Sequence, residues 1–286
     1  MEKHFMITVS EDKSCLYAAK FAGYFFSDRQ NIKATLFNTA PKPPILWGNE
    51  RSLEADIEQQ EQLRQIHAKS QSSLENVKKM CVELGFSPDN VNTKLKDRLF
   101  SKVSDIIQEG EKGQYDAVIM GQRGLSMLEK IFDESISEEI FQQSFTFPLW
   151  LCRSADPARK NILLYVDGSE TSYRMADHVG FILNGETKHS VTILIMDEKE
   201  IANRVLAKTI EHLLYNDFPE ELIDTWIIEK GNLAKIIMEE VDKKNYAVVA
   251  LGRSGGETNP LKRIFKGEVC YTLFKEIKDA ALWVCY

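Results

Sequence analysis

Asp116-Ala-Val-Ile-Met-Gly-Gln-Arg-Gly124, together with Met127-Leu-Glu-Lys-Ile-Phe-Asp-Glu-Ser-Ile-Ser-Glu-Glu-Ile-Phe141 behind it, decides the fold. The apolar run Ala117 to Met120 has the length of a buried strand, and Gly121 ends it. Leu128, Ile131, Phe132, Ser135 and Ile136 then fall on one helical face, which Ile140 extends. Strand, glycine turn and amphipathic helix in this order aim free backbone N–H groups into a cleft where an anion can sit. Gly-x-x-Gly also marks tight turns that hold nothing, so the stretch alone does not establish a ligand.

The chain contains this arrangement twice. Tyr246-Ala-Val-Val-Ala-Leu-Gly-Arg-Ser-Gly255 repeats the strand and the paired glycines, and Pro260-Leu-Lys-Arg-Ile-Phe-Lys-Gly267 echoes Leu128-Glu-Lys-Ile-Phe132. Leu149-Trp-Leu-Cys152 closes one half and Leu282-Trp-Val-Cys285 the other. At the openings, Val9 to Gly23 lies over Val166 to Gly180 without a gap. Landmarks recurring in the same order define an internal duplication. Two copies of one fold are expected, over residues 1–154 and 155–286, joined by the polar linker Arg153-Ser-Ala-Asp-Pro-Ala-Arg159.

These residues carry a family resemblance. Both halves resemble universal stress protein domains, and the whole resembles the tandem type in which two are fused. Asp116 to Gly124, Phe147-Pro-Leu-Trp-Leu151 and Tyr165-Val-Asp-Gly-Ser169 fit that family's glycine-loop, last-strand and first-strand segments. The resemblance implies a Rossmann-like, doubly wound parallel sheet of five strands per half, in the order 3-2-1-4-5.

Composition fits a soluble cytoplasmic protein. The 286 residues are 43% hydrophobic, enough for two ordinary cores, and the net charge of −7 gives no basic footprint for nucleic acid. No apolar run reaches the length of a membrane span, and Met1-Glu-Lys-His4 leads straight into a strand rather than a signal peptide. The five cysteines show neither Cys-x-x-Cys nor zinc spacing and read as reduced structural thiols.

Along the first half, strands are expected at Phe5–Val9, Ile32–Phe37 and Val91–Lys96, with helices at Ser14–Phe26 and Lys102–Gln108. Pro41-Lys-Pro-Pro44 forces an extended loop, which carries Trp47. A long polar helix over Ser52–Leu84 bears an apolar stripe at Leu63, Ile66, Ser70, Leu74, Val77, Cys81 and Leu84, with Gly85 as its cap. Such a helix is either an ordinary amphipathic element with an exposed overhang or a surface for a protein partner or second copy. In the second half, strands are expected at Ile162–Val166, Val191–Met196, Leu222–Ile228 and Ala247–Leu251, and helices at Thr171–Leu183, Lys199–Tyr215 and Leu233–Val241. Alternation of this kind implies parallel sheets, with ligands bound beyond the carboxyl ends of the strands at the switch point.

Many members of the family bind ATP there, which makes ATP the candidate cofactor. In the first half the matching positions are Gly121, Gly124 and Ser135, but Ser10 replaces the expected Asp and Glu134 the third glycine. A carboxylate about 4 Å from a phosphate charge would cost ~4 kcal/mol at an effective dielectric of about 20, so this site reads as degenerate. The second half offers Val166, Asp167, Gly168, Gly252, Gly255 and Gly267, although the spacing to Gly267 is stretched and Glu268 replaces the expected Ser or Thr. Arg253, Lys262 and Arg263 are nearby sources of positive charge, and Asp167 has the alternative role of capping the next helix. No Walker phosphate loop, nucleophile elbow or His-Glu-x-x-His motif is present, and the five histidines are scattered, so no catalytic or metal-binding residue is assigned. The sequence therefore points to a non-enzymatic stress-response protein acting as an intramolecular pseudo-dimer. The competing reading is an adenine-nucleotide switch or weak ATPase working through the second half.

Overall fold

A computed structural model describes residues 2–10, 16–41, 53–99, 101–121, 146–253 and 268–285. The first half runs β1 (Lys3–Thr8), α1 (Leu16–Phe25), β2 (Ile32–Ala40), α2 (Leu53–Glu83), β3 (Val91–Asp97), α3 (Lys102–Lys112), β4 (Ala117–Gly121) and β5 (Leu149–Cys152). The second runs β6 (Ile162–Tyr165), α4 (Glu170–Leu183), β7 (Val191–Met196), α5 (Lys199–Tyr215), β8 (Ile223–Ile228), α6 (Leu233–Lys244), β9 (Val248–Gly252), α7 (Glu268–Glu276) and β10 (Ala281–Cys285). The expected helix over 127–141 and the loop carrying Trp47 lie outside the described residues.

The described strands form one ten-stranded sheet in the order β3-β2-β1-β4-β5-β10-β9-β6-β7-β8. Read from either edge, each half shows the 3-2-1-4-5 order implied by the resemblance. Neighbours within a half are parallel; β5 and β10 alone run antiparallel, with Trp283 opposite Trp150. Alternation along the strands divides the core into two layers. Phe5, Ile7, Trp150 and Trp283 face α1, α2, α4 and α5, while Met6, Leu149, Leu151 and Leu282 face α3, α6 and α7.

The long helix resolves its two readings in part. Ser70, Leu74, Val77 and Cys81 are buried, Leu63 and Ile66 half-buried, and Ile57 is 57% exposed. Only the C-terminal part of the stripe is seated on β2 and β3. Gly85 adopts φ +99°, and the amide of Phe86 donates to the carbonyl of Cys81, which is the expected left-handed cap.

The two halves meet around a pair of stacked indoles. Trp150 and Trp283 lie 3.9 Å apart at 6° between planes, both fully buried. Phe21 of α1 stands edge-on to both rings at 6.2 and 6.4 Å, and His178 of α4 flanks them from the other helix at 5.8 and 5.9 Å. Phe21 and His178 occupy equivalent places in the duplicated sequence. The exchange of phenyl for imidazole breaks the symmetry chemically. The indole N–H of Trp150 donates to Nε2 of His178 at 3.1 Å, whereas the indole N–H of Trp283 has no acceptor. Further links cross the seam. The Ser27 amide donates to both carboxylate oxygens of Glu186 at 3.0 Å, Lys3 Nζ reaches the Asn184 carbonyl at 3.0 Å, and Lys160 Nζ reaches the Tyr24 carbonyl.

Trp150→Phe removes a made hydrogen bond and strands an acceptor, while Trp283→Phe removes a donor that is already orphaned. Urea unfolding should therefore show Trp150→Phe to be the more destabilising by about 1–3 kcal/mol. Equal losses would mean that the Trp150–His178 bond contributes nothing.

Candidate functional site

The crevice expected in each half lies beyond the carboxyl ends of its first and fourth strands, β1 and β4 or β6 and β9. In the first half β1 runs out through Val9, whose amide donates to the Phe37 carbonyl at 2.7 Å, into Ser10, which is buried at 8% exposure. Thr8 Oγ1 donates to the Ile119 carbonyl at 3.3 Å and ties β1 to β4. Gly121 ends β4 paired with Cys152 of β5. Gly124, Glu134 and Ser135 lie outside the described residues.

The second crevice is better defined. Val166 is fully buried and its amide donates to the Leu194 carbonyl at 3.0 Å, which holds the strand end down. Asp167 is exposed, and its Oδ1 accepts from the amide of Ser169 at 3.0 Å and from the Ser169 hydroxyl at 2.5 Å. Ser169, not Asp167, is the N-cap of α4, its hydroxyl accepting from the Ser172 amide. Asp167 thus braces the cap. Gly168 between them has φ +78°, a left-handed conformation that favours glycine, and a Cβ there would press on the Val205 side chain at 3.0 Å. Burial together with Asp167 and Asp197 pushes the Tyr165 hydroxyl up to about 12, so the described rim of this crevice is acidic.

Gly252 has a packing role. A Cβ on it would stand 2.3 Å from the Ser172 amide nitrogen and 2.4 Å from the Thr171 carbonyl carbon, because the end of β9 is pressed against the first turn of α4. Arg253 follows it into the interior at 3% exposure, its amide donating to the Cys285 carbonyl at 2.7 Å and its guanidinium close enough to Cys270 to oppose the upward pull of burial on that thiol. Gly255, Lys262, Arg263 and Gly267 lie outside the described residues, and Glu268 opens α7. Among the described residues no group of His, Cys, Asp and Glu is arranged to hold a metal ion, and Cys81, Cys152, Cys270 and Cys285 are buried free thiols.

Sequence reasoning passed over His178 as one of several scattered histidines. Its ring is enclosed beside the tryptophan pair, and burial lowers its affinity for a proton from the ordinary 6.5 to about 3. An apolar helical stripe containing a histidine at the position of Phe21 is the signal that would have marked it.

The family model described as the universal stress protein family matches residues 1–153. A universal stress protein from Archaeoglobus fulgidus DSM 4304 superposes with a TM-score of 0.67 at 17% identity, covering 99% of this chain and 95% of that one. A functionally unknown protein, PA1789 from Pseudomonas aeruginosa PAO1, gives 0.53 at 13% identity, covering 99% and 92%. A universal stress protein solved in complex with cAMP covers 44% of this chain and 95% of its own at 16% identity, with a TM-score of 0.37. No curated protein matches the chain significantly. Likeness at these identities concerns the fold and not the ligand.

Gly252→Ala drives a methyl group into backbone and should destabilise the chain by about 2 kcal/mol or more in urea unfolding; an effect under about 0.5 kcal/mol would contradict the close approach. Stability should also fall as the pH drops from 6.5 toward 3, because the unfolded chain protonates His178 there and the folded chain does not. The slope contributed by this one ring is up to about 1.4 kcal/mol per pH unit. In His178→Gln that part of the slope should vanish, and an unchanged acid limb would place the titration elsewhere.

Proposed function

Because the chain belongs to the universal stress protein family, we propose that it is a non-enzymatic, cytoplasmic stress-response protein whose two halves, 1–154 and 155–286, act as an intramolecular pseudo-dimer. The observation that carries this reading is the antiparallel β5–β10 joint, with Trp150 stacked on Trp283. A joint buried this deeply supports one body that offers surfaces to partners, rather than two domains closing on a substrate. The exposed N-terminal overhang of α2 supports a protein partner or a second copy. A net charge of −7 argues against nucleic acid, and among the described residues no helix is long and apolar enough to cross a membrane. The sequence motifs supply no nucleophile, general base or metal set.

A second reading is favoured by one observation. Asp167 stands at the carboxyl end of β6, exposed, where the family resemblance implies contact with a nucleotide. On this reading the second half is an adenine-nucleotide switch or weak ATPase, formed by Val166, Asp167, Gly168, Gly252, Gly255 and Gly267, with ATP as its ligand. Against it stand the stretched spacing to Gly267, the interior position of Arg253, and Glu268 at the start of α7. The first half, with Ser10 and Glu134 in place of Asp and Gly beside Gly121, Gly124 and Ser135, is degenerate on either reading.

Denaturing the purified chain and analysing the supernatant for nucleotide, with calorimetric ATP titration beside it, separates the two. The favoured reading expects no released nucleotide and no saturable heat. Nucleotide near one per chain, lost in Asp167→Ala and in Gly255→Glu, would replace it with the switch.

A further inference from the structure

The turn between α4 and β7 carries a buried pair of titratable groups that neither reading uses. Asn184 ends α4, Gly185 takes φ +82°, and the amide of Glu186 closes back onto the Leu183 carbonyl at 2.8 Å. At the other end the Ser190 amide donates to Asn161 Oδ1 at 3.1 Å, and the Ile162 amide to the Ser190 carbonyl at 2.9 Å. Held at both ends, the turn folds Glu186 and His189 inward at 4% and 1% exposure. Both touch the first half. Glu186 receives the Ser27 amide on its two oxygens, and the ring of His189 lies 4.4 Å from that of Phe25.

The two ring nitrogens of His189 have different surroundings. Nδ1 stands 2.6 Å from the Lys160 carbonyl, an oxygen that can only accept, so Nδ1 carries a proton. Nε2 is sealed from solvent without a hydrogen-bond partner, and it faces Oε2 of Glu186 at 3.6 Å. A bare Nε2 would set lone pair against lone pair in the interior. One proton between the two groups turns that repulsion into an ion pair. Burial by itself would raise the Glu186 carboxyl, but His189 and the Ser27 amide outweigh it and hold the group below the ordinary carboxylate value.

The surrounding charges have their own partners. Lys3 and Lys160, whose proton affinities burial lowers, reach across the seam to the carbonyls of Asn184 and Tyr24. Arg29 donates to the carbonyls of Gly23 and Phe26, Asp28 accepts from Gln30 and Asn31, and Lys188 is exposed. The four cations oppose a further positive charge on the ring and Asp28 favours one. Among the described residues Glu186 is the one carboxylate within ion-pair distance of it. We propose that Glu186 and His189 form a proton-operated latch on the seam. With one proton shared between them the turn stays clamped to Ser27 and Phe25; when that proton leaves, the halves part more readily along this edge. The latch is built once. At the matching place in the first half, two residues ahead of the strand pair Phe5–Ala34 as His189 is ahead of Ile162–Val191, stands Ile32. It acts on the seam itself, whether or not either crevice holds nucleotide.

The direction follows from linkage. An unfolded chain gives up a histidine proton near the ordinary value of about 6.5, whereas the closed seam keeps the shared one. The latch is therefore complete below that pH and lost as the pH rises beyond it. The test is native-state hydrogen exchange on the full chain, labelled with nitrogen-15 and carbon-13, from about pH 6 to about pH 9, with each rate divided by the intrinsic rate at that pH. Protection of the Ser27 amide and of the Trp283 indole N–H should fall with rising pH, by up to about tenfold per unit. The amides of Leu36 and Leu194, inside the two halves, should keep theirs. At about pH 6 the resonances should show both His189 nitrogens protonated beside an ionised Glu186. Glu186→Gln keeps an acceptor for Ser27 and gives Nε2 a permanent donor, so the seam should stay protected with the slope gone. His189→Ile, which places the first half's residue in the turn, should lower protection at every pH and also flatten the slope. A neutral His189 ring beside an ionised Glu186 at about pH 6, no fall in the seam probes, an equal fall at Leu36 and Leu194, or an unchanged slope in Glu186→Gln would overturn the proposal. The first three are read on the unaltered chain, so a variant that fails to fold leaves the question decided.

Discussion

Everything in this molecule hangs on the contact of Trp150 with Trp283. Parallel α/β sheets end in edge strands whose unpaired N–H and C=O groups must be covered or satisfied. Here β5 and β10 satisfy each other, and the antiparallel register sets the two indoles directly opposite. Such a stack contributes roughly 0.5–1.5 kcal/mol beyond the area it buries, and here it is enclosed by Phe5, Phe25, Phe21 and His178. The joint turns two five-stranded units into one ten-stranded sheet, leaving only β3 and β8 as edges among the described strands.

The joint also explains where polar groups collect. Two halves with the same strand order, joined through the antiparallel β5–β10 pair, set matching residues on opposite sides of the seam, so a difference between the halves becomes a difference between its two sides. Imidazole on one side satisfies Trp150; phenyl on the other leaves the Trp283 N–H without an acceptor. An orphaned donor of this kind is costly unless something else in the site compensates, and the stack and the ladder of β5 with β10 are the compensating terms here. The crevices at the strand ends are governed by different forces. In the second half, Asp167 is engaged with Ser169, and Gly252 is pressed against α4, so part of what resembles a ligand cradle is helix capping and close packing.

Much of the architecture was legible beforehand. The strand and helix spans of the second half were within a few residues of those observed, since Val191–Met196 and Lys199–Tyr215 carry unambiguous local periodicity. The site was less legible. A glycine at the end of a strand has the same letter whether it admits a phosphate or a neighbouring helix, and only the 2.3 Å approach of the Ser172 nitrogen tells the two apart at Gly252. In the sequence Arg253 reads as a source of positive charge beside the second site, but it follows β9 into the interior.

The sequence by itself determined the fold class and the order of the described elements. These are local or repeated features: an apolar period, a glycine after a strand, a motif met twice. Tertiary structure alone decided the bond between Trp150 and His178, the solitude of the Trp283 N–H and the packing duty of Gly252. Each depends on atoms that are distant in the chain, and the physical chemistry of a side chain is set by the neighbours that folding places beside it.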